Sequence, residues 1–568
     1  MRILLVAGAF NSLTQRVYAE LGDHGHRVSV ELVTRDTPLP EVVRRHDPDL
    51  IVAPMLKTPI PREVWSTRIC LIVHPGPVGD RGPSSVDWAV HLGADRWGVT
   101  VLQANDEMDG GDIWGAAGCP VPVVGKSDLY RNEIADAAVE AVLAAVARVA
   151  SGTHRPQPQA ELPDAARTGR PRPPFRQDLR RIDWHADPTD TVVRKLRAAD
   201  SQPGVRDELL GDIWHLHGGH PEDTLTGRPG ELLATRSGAI CRATADGAVW
   251  IPELRPPRAP GRPGTLKLPA TLALGDRLPP LPEVPAPLGP GDGPRTWTDI
   301  RYREEGPAGF LEFSFPGGAM STDHCRRLLA AYRHACARPT SVLVLGGRRD
   351  FFSNGIHLHV IEAAADPAEE SWANIQAMDD LVQAVLTTTD RLVVAALGGN
   401  AAAGGAMLAL AADEVWCRAA VVLNPHYRLM GLYGSEYWTY TLPRRTGPDV
   451  AAELAARAVP ITAATGARLG LVDRIVDCPA QDFAARTAEL ATRLAAAPAT
   501  QARIATKKAD RERDEAHRPL AVYRELELAQ MHRIFFDPDQ PYHALRRAFV
   551  RKEPAAAAAH LGSSAAGS

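Results

Sequence analysis

Over residues 1–150, unbroken apolar runs alternate with segments whose apolar positions recur every three or four residues. The runs are RILLVAGA, RVSVELV, LIVAP, ICLIVH and GVTVLQAN. Such runs between helical segments predict strands of a sheet covered on both faces. The helical segments are TQRVYAELGDHG and an alanine-rich stretch over roughly 128–150. Sheets of this kind bind ligands at the carboxyl ends of their strands. His74 stands at the end of one strand, and Asp106–Asp109 follow another.

The pattern then changes several times, predicting a multidomain α/β chain. A first domain covers 1–152. Residues 153–178 (THRPQPQAELPDAARTGRPRPPFRQD) are proline-rich and read as a linker. The basic cluster RTGRPRPPFRQDLRRID reads as a solvated stretch leading into a helix. Within 179–275, RRIDWHADPTDTVVRKLRAAD predicts a short strand and a helix. GELLATRSGAICRATADGAVWIPEL has the short alternating runs and glycine turns of a small β-domain. A second Pro/Gly-rich linker spans 276–295. Strands GFLEFSF, TSVLVLGG and RLVVAALGG alternate with helices in a last domain, 296–550, and 551–568 reads as a disordered tail.

Length and composition narrow the function classes. A chain of 568 residues exceeds one core, and 45% apolar residues is ordinary globular composition. The net charge of -4 gives no reason to expect a nucleic-acid partner. The seven cysteines lack C-x-x-C spacing, so reduced thiols, no metal site and a cytoplasmic location are expected. MRILLVAGAF reads as a first strand rather than a signal peptide, and no uncharged apolar run reaches membrane-spanning length.

Two stretches carry candidate chemistry. The first is HPGPVGDRGPSSVDWA, residues 74–89, with NDEMDGGDIWG some 35 residues later. Asp109 precedes Gly110-Gly111, and two glycines permit close backbone approach to a ligand. A histidine and an aspartate from neighbouring strand ends can meet over one substrate, so His74 is a candidate acid, base or oxyanion stabiliser. Asn11, Lys57, Arg81, Ser84, Met108 and Gly110 are candidate lining residues of the same pocket. These motifs resemble the formyltetrahydrofolate-dependent transferases and hydrolases, which implies a Rossmann-like formyltransferase domain. Ile72 replaces the family's asparagine, as in the hydrolase domain of formyltetrahydrofolate dehydrogenase. RIDWHADPTDTVVRKLRAADSQPG resembles the start of the β-barrel-like C-terminal domain of methionyl-tRNA formyltransferase.

The second stretch pairs SVLVLGGRRDFFSNGIHLHVI with RLVVAALGGNAAAGGAMLALAADEVWCRAA. It resembles the crotonase (enoyl-CoA hydratase/isomerase) fold, whose backbone amides form an oxyanion hole for a thioester carbonyl. The resemblance assigns those amides to Ile356 and Gly404 and expects a ββα-superhelix. Met407 and His426 stand where hydratases carry their two acids, so water addition is not expected. GLYGSEYWTYTLPRR matches the acyl-facing segment, making Glu436 the candidate base, with Tyr433 and Tyr437 assisting. Ser435, Tyr440, His357 and His426 are candidate pocket residues. His359, His215, His217 and His220 read as shaping or loop residues rather than metal ligands.

Together the two halves resemble the HypX (HoxX) family of hydrogenase maturation factors. The resemblance implies two substrates, 10-formyltetrahydrofolate and coenzyme A. It also implies formyl transfer to CoA and decarbonylation of formyl-CoA to the CO ligand of NiFe-hydrogenase. Maturation proteins of that hydrogenase are the candidate macromolecular partners. The sequence leaves open a hydrolase releasing formate and a non-catalytic scaffold that binds folate and CoA.

Overall fold

The computed structural model describes residues 1–34, 36–289 and 293–553. Beyond residue 553 the expected tail lies outside the described residues, as do positions 290–292 of the second linker. The chain divides into two compact units, Met1–Gly219 and His220–Ala555.

The first unit is built on a six-stranded sheet. Its spatial order is Arg27–Leu32, Arg2–Ala7, Leu50–Ala53, Cys70–His74, Arg96–Gln103, Ile113–Pro120. The first four strands are parallel, as continuous apolar runs between helices require. The last two are antiparallel, His74 pairing with Thr100. Ile113–Pro120 (IWGAAGCP) is a strand that hydrophobic patterning misses. It lies at the sheet edge and exposes Ala116, Gly118 and Pro120. The helices Ser12–Asp23 and Ala135–Ser151 bury Leu13, Val17, Leu21, Val139, Val142 and Val146 in the core beneath it.

The proline-rich segment is mostly exposed, but it is tied to the first unit at several points. Gln157 exchanges backbone hydrogen bonds with Ile113, and Arg172 N–H donates to Arg81 O. Phe175 and Arg180 are each 4% exposed. In place of the short strand expected at the start of RRIDWHADPTDTVVRKLRAAD there is a turn over Trp184–Ala186, with Asp183 N–H donating to Asp187 Oδ2 at 2.8 Å. The helix Thr189–Ala199 and the hairpin Val205–Leu209/Asp212–His217 follow.

The second unit opens with a small antiparallel sheet in the order Leu232–Arg236, Ala239–Ala243, Ala248–Ile251, His220–Glu222. A six-stranded sheet follows in the order Ile300–Glu305, Ala308–Phe313, Val342–Gly346, Leu392–Leu397, Glu414–Arg418, Arg474–Val476. Only its first pair is antiparallel. Leu343, Val393, Ala395 and Leu397 face a core shared with the helices Thr322–Cys336 and Pro367–Thr387. Val344, Val394 and Trp416 face Phe483 and Ala491 of the helix Phe483–Ala496. Among the described residues no helix is long and apolar enough to cross a membrane.

Candidate functional sites

The first constellation forms where Cys70–His74 ends. His74 Nε2 lies 3.0 Å from Asp80 Oδ2, and its Nδ1 lies 3.5 Å from Asp109 Oδ1. Asp80 comes from the loop that directly follows the strand. Its other oxygen accepts from Arg172 Nη1 at 2.5 Å, and the guanidinium stacks 5.1 Å from the Trp97 ring. The side chains of His74 and Asp80 are almost wholly buried. A buried carboxylate of this kind needs a cationic or hydrogen-bonding partner. Asp109, at φ 53°, turns its second oxygen to Gly82 N–H at 3.1 Å, and Gln159 Nε2 holds its carbonyl at 3.0 Å. A Cβ at Gly76 would overlap both Asp80 Oδ2 and His74 Nε2, so glycine is required for the chain to pass over the pair. The arrangement can hold and move a proton at His74.

The other candidates of this region are placed unevenly. Ser84 Oγ accepts from Phe175 N–H at 3.0 Å and so braces the loop. Arg81 is ion-paired with Glu107, the residue over which Gly110 folds. Asn11 caps Ser12–Asp23 by accepting from Thr14 N–H, and its Nδ2 lies 3.4 Å from Tyr130 Oη. Lys57 and Met108 are exposed. Asp80, inside the quoted GDRG, and Arg172 are the participants that sequence reading overlooked. Asp80 could have been found from its place in the loop; Arg172 could not, because it lies 92 residues away.

The second constellation surrounds Gly404, first residue of the helix Gly404–Leu410. A Cβ at Gly355, which has φ +79°, would stand 3.3 Å from Gly404 N, so the loop carrying Ile356 meets the helix start. Among the described residues no acceptor engages the amide of Ile356 or that of Gly404. Amides at a helix start point outward and attract negative charge.

Glu436 is 1% exposed and closes this corner. Its Oε2 accepts from Tyr427 O–H at 2.7 Å and from Ser435 N–H at 3.0 Å. Its Oε1 receives no donor among the described residues and lies where a Gly404 Cβ would be. Burial, and then the nearby Asp379 charge, push the Glu436 carboxyl well above the usual carboxylate range. Asp379 is itself pushed up by burial. Asp379 Oδ1 accepts from Glu436 N–H at 2.7 Å and its Oδ2 from Ser435 Oγ at 2.8 Å. Glu527 accepts from Tyr437 N–H at 2.9 Å and Thr439 N–H at 2.8 Å.

The tyrosine bonded to Glu436 is thus Tyr427, not the expected pair. Tyr433 is 41% exposed with its ring edge-on to Trp438, and Tyr437 is fully buried. Tyr440 O–H donates to Asp514 at 2.7 Å, which ties it to the helix Thr500–His517. His357 caps the helix Leu358–Ala363 through Nδ1 at 3.2 Å from Val360 N–H, and burial holds its pKa well below the ordinary value. His426 is buried with neither ring nitrogen bonded among the described residues, and burial lowers it to about 4. Met407 is fully buried.

Comparisons with known proteins divide the chain in the same way. The family described as Formyl transferase matches residues 9–146, and Formyl transferase, C-terminal domain, matches 175–260. Enoyl-CoA hydratase/isomerase matches 319–554. The methionyl-tRNA formyltransferase of Variovorax paradoxus is 25% identical over 216 residues, 37% of this chain and 65% of that protein. The crystal structure of HypX from Aquifex aeolicus in complex with tetrahydrofolic acid is 42% identical, with a TM-score of 0.92 and coverage of 98% of this chain and 97% of that one. The hydrogenase maturation factor HoxX of Bradyrhizobium diazoefficiens is 48% identical over 556 residues, 98% of this chain and 95% of that protein. A formyltransferase region joined to a crotonase-like region, with this likeness along nearly the whole chain, places the chain in the HypX/HoxX family of hydrogenase maturation factors.

Proposed function

We propose that the chain makes carbon monoxide from a formyl group in two steps, with 10-formyltetrahydrofolate and coenzyme A as substrates. The tetrahydrofolic acid in the Aquifex aeolicus complex supports the folate assignment. In the first step the CoA sulfur bonds to the formyl carbon and the bond from that carbon to the folate nitrogen breaks. The thiol proton ends on that nitrogen. His74, between two carboxylates, conveys the proton, and Arg172 balances the charge of Asp80.

In the second step the amides of Ile356 and Gly404 hold the carbonyl oxygen of formyl-CoA and so orient its C–H bond. Glu436 Oε1 takes the formyl proton. The C–H electron pair becomes the carbon lone pair of CO as the C–S pair leaves on sulfur. Glu436 then returns its proton to the thiolate, so no net proton is consumed. The observation that carries this reading is the unbonded Glu436 Oε1 lying against Gly404. A raised carboxyl pKa makes that oxygen a stronger base. The buried His426 and Met407 at the two hydratase acid positions favour this chemistry over hydration.

The test is a headspace assay with haemoglobin as trap, giving the full chain 10-formyltetrahydrofolate and CoA. CO is expected from the parent and not from His74→Ala. Formate without CO would identify a hydrolase, and neither product, with both ligands bound, would identify a scaffold.

A further inference from the structure

Ser435-Glu436-Tyr437 is an unusual piece of backbone. Glu436 and Tyr437 are consecutive non-glycine residues with φ 60° and 58°, a conformation costly for side chains with a Cβ. Two carboxylates from distant helices grip it. Asp379, from Pro367–Thr387, takes the Glu436 amide and the Ser435 hydroxyl. Glu527, from Leu520–Phe536, takes the Tyr437 and Thr439 amides.

Both are costly to bury as bare structural acceptors, since a neutral amide side chain could accept the same backbone bonds. The cation nearest Asp379 is a weak partner. Arg524 Nε lies 3.9 Å away, while its Nη2 binds Asp380 at 2.6 Å.

We propose that Asp379 and Glu527 are positioning residues for CO release: they hold Glu436 in the left-handed backbone conformation that aims Oε1 at Gly404, and their negative charge keeps that carboxylate basic. This rests on the reading of Glu436 as the base. The charged and titratable groups facing Glu436 are Tyr427, Asp379, Glu527 and Cys325, with Asp380 and Arg524 behind Asp379. Asp379 and Glu527 both raise the Glu436 pKa, Asp379 the more strongly.

The experiment supplies formyl-CoA directly to the full chain and records kcat for CO across the neutral pH range. Parent activity should fall on the acid side as Glu436 is protonated. Asp379→Asn keeps an acceptor for the Glu436 amide but removes the charge. Its acid limb should move about one pH unit lower, with a reduced kcat at high pH and little change in KM. Glu527→Gln should move the limb the same way by less, and it serves alone if Asp379→Asn does not fold. Formyl-CoA formation from 10-formyltetrahydrofolate, measured on the same samples, checks the rest of the chain. An unmoved limb in both folded variants, with Glu436→Gln inactive, would overturn the proposal and leave Glu436 as base. Full activity in Glu436→Gln would instead overturn the base assignment itself.

Discussion

Arg172→Met isolates the contribution of the segment that sequence patterning had assigned to solvent. Arg172 Nη1 lies 2.5 Å from Asp80 Oδ1, with side-chain exposures of 13% and 1%. Removing one partner of a buried ion pair strands the other charge and costs about 3–5 kcal/mol. The residual exposure of Arg172 puts this case toward the lower end. Asp80 also bonds His74, so the stranded carboxylate keeps the imidazole as a hydrogen-bond partner. The first unit should therefore lose about 3 kcal/mol in urea unfolding, and formyl-CoA formation should fall. CO release from supplied formyl-CoA should persist. Asp80→Asn combined with Arg172→Met should recover part of the stability, because no buried charge remains. A stability loss below about 0.5 kcal/mol with unchanged formyl transfer would refute the reasoning.

Other outcomes follow from the same geometry. Glu436→Gln should lower CO output from formyl-CoA by about 10²–10⁴-fold, measured by haemoglobin trapping, while formyl-CoA formation continues. Gly404→Ala should give the same phenotype, since its Cβ would displace the Glu436 carboxylate. His74→Ala should show the reverse pattern, losing formyl transfer but releasing CO from supplied formyl-CoA. Burial raises Glu527 from 4.5 to about 7. Its folded pKa thus exceeds its unfolded one, so its contribution is full at acid pH and is lost as pH rises through about 7. That difference is worth on the order of 3 kcal/mol, and Glu527→Gln should flatten this part of the stability profile between acid and neutral pH.

Much of the fold was legible because strand and helix periods are local properties. RILLVAGA, ICLIVH and SVLVLGG are buried strands, and their uninterrupted apolar runs said so. His74 and Asp109 were legible because strand-end and turn chemistry is written within a few residues of the atoms it serves, and the amides of Ile356 and Gly404 were legible through the resemblance to the crotonase fold. Ile113–Pro120 was not, since an edge strand with small residues at Gly115–Gly118 and three of its eight residues exposed carries little apolar signal. Nor was the packing of Phe175 and Arg180, which have no periodic neighbours to reveal them. The partners of the two sites belong wholly to tertiary structure. Arg172 meets Asp80 across 92 positions, Asp379 meets Glu436 across 57, and Glu527 meets Tyr437 across 90. Local sequence can nominate a histidine or a glutamate for chemistry. Only the fold decides which distant charges surround it, and those charges set where its protons reside.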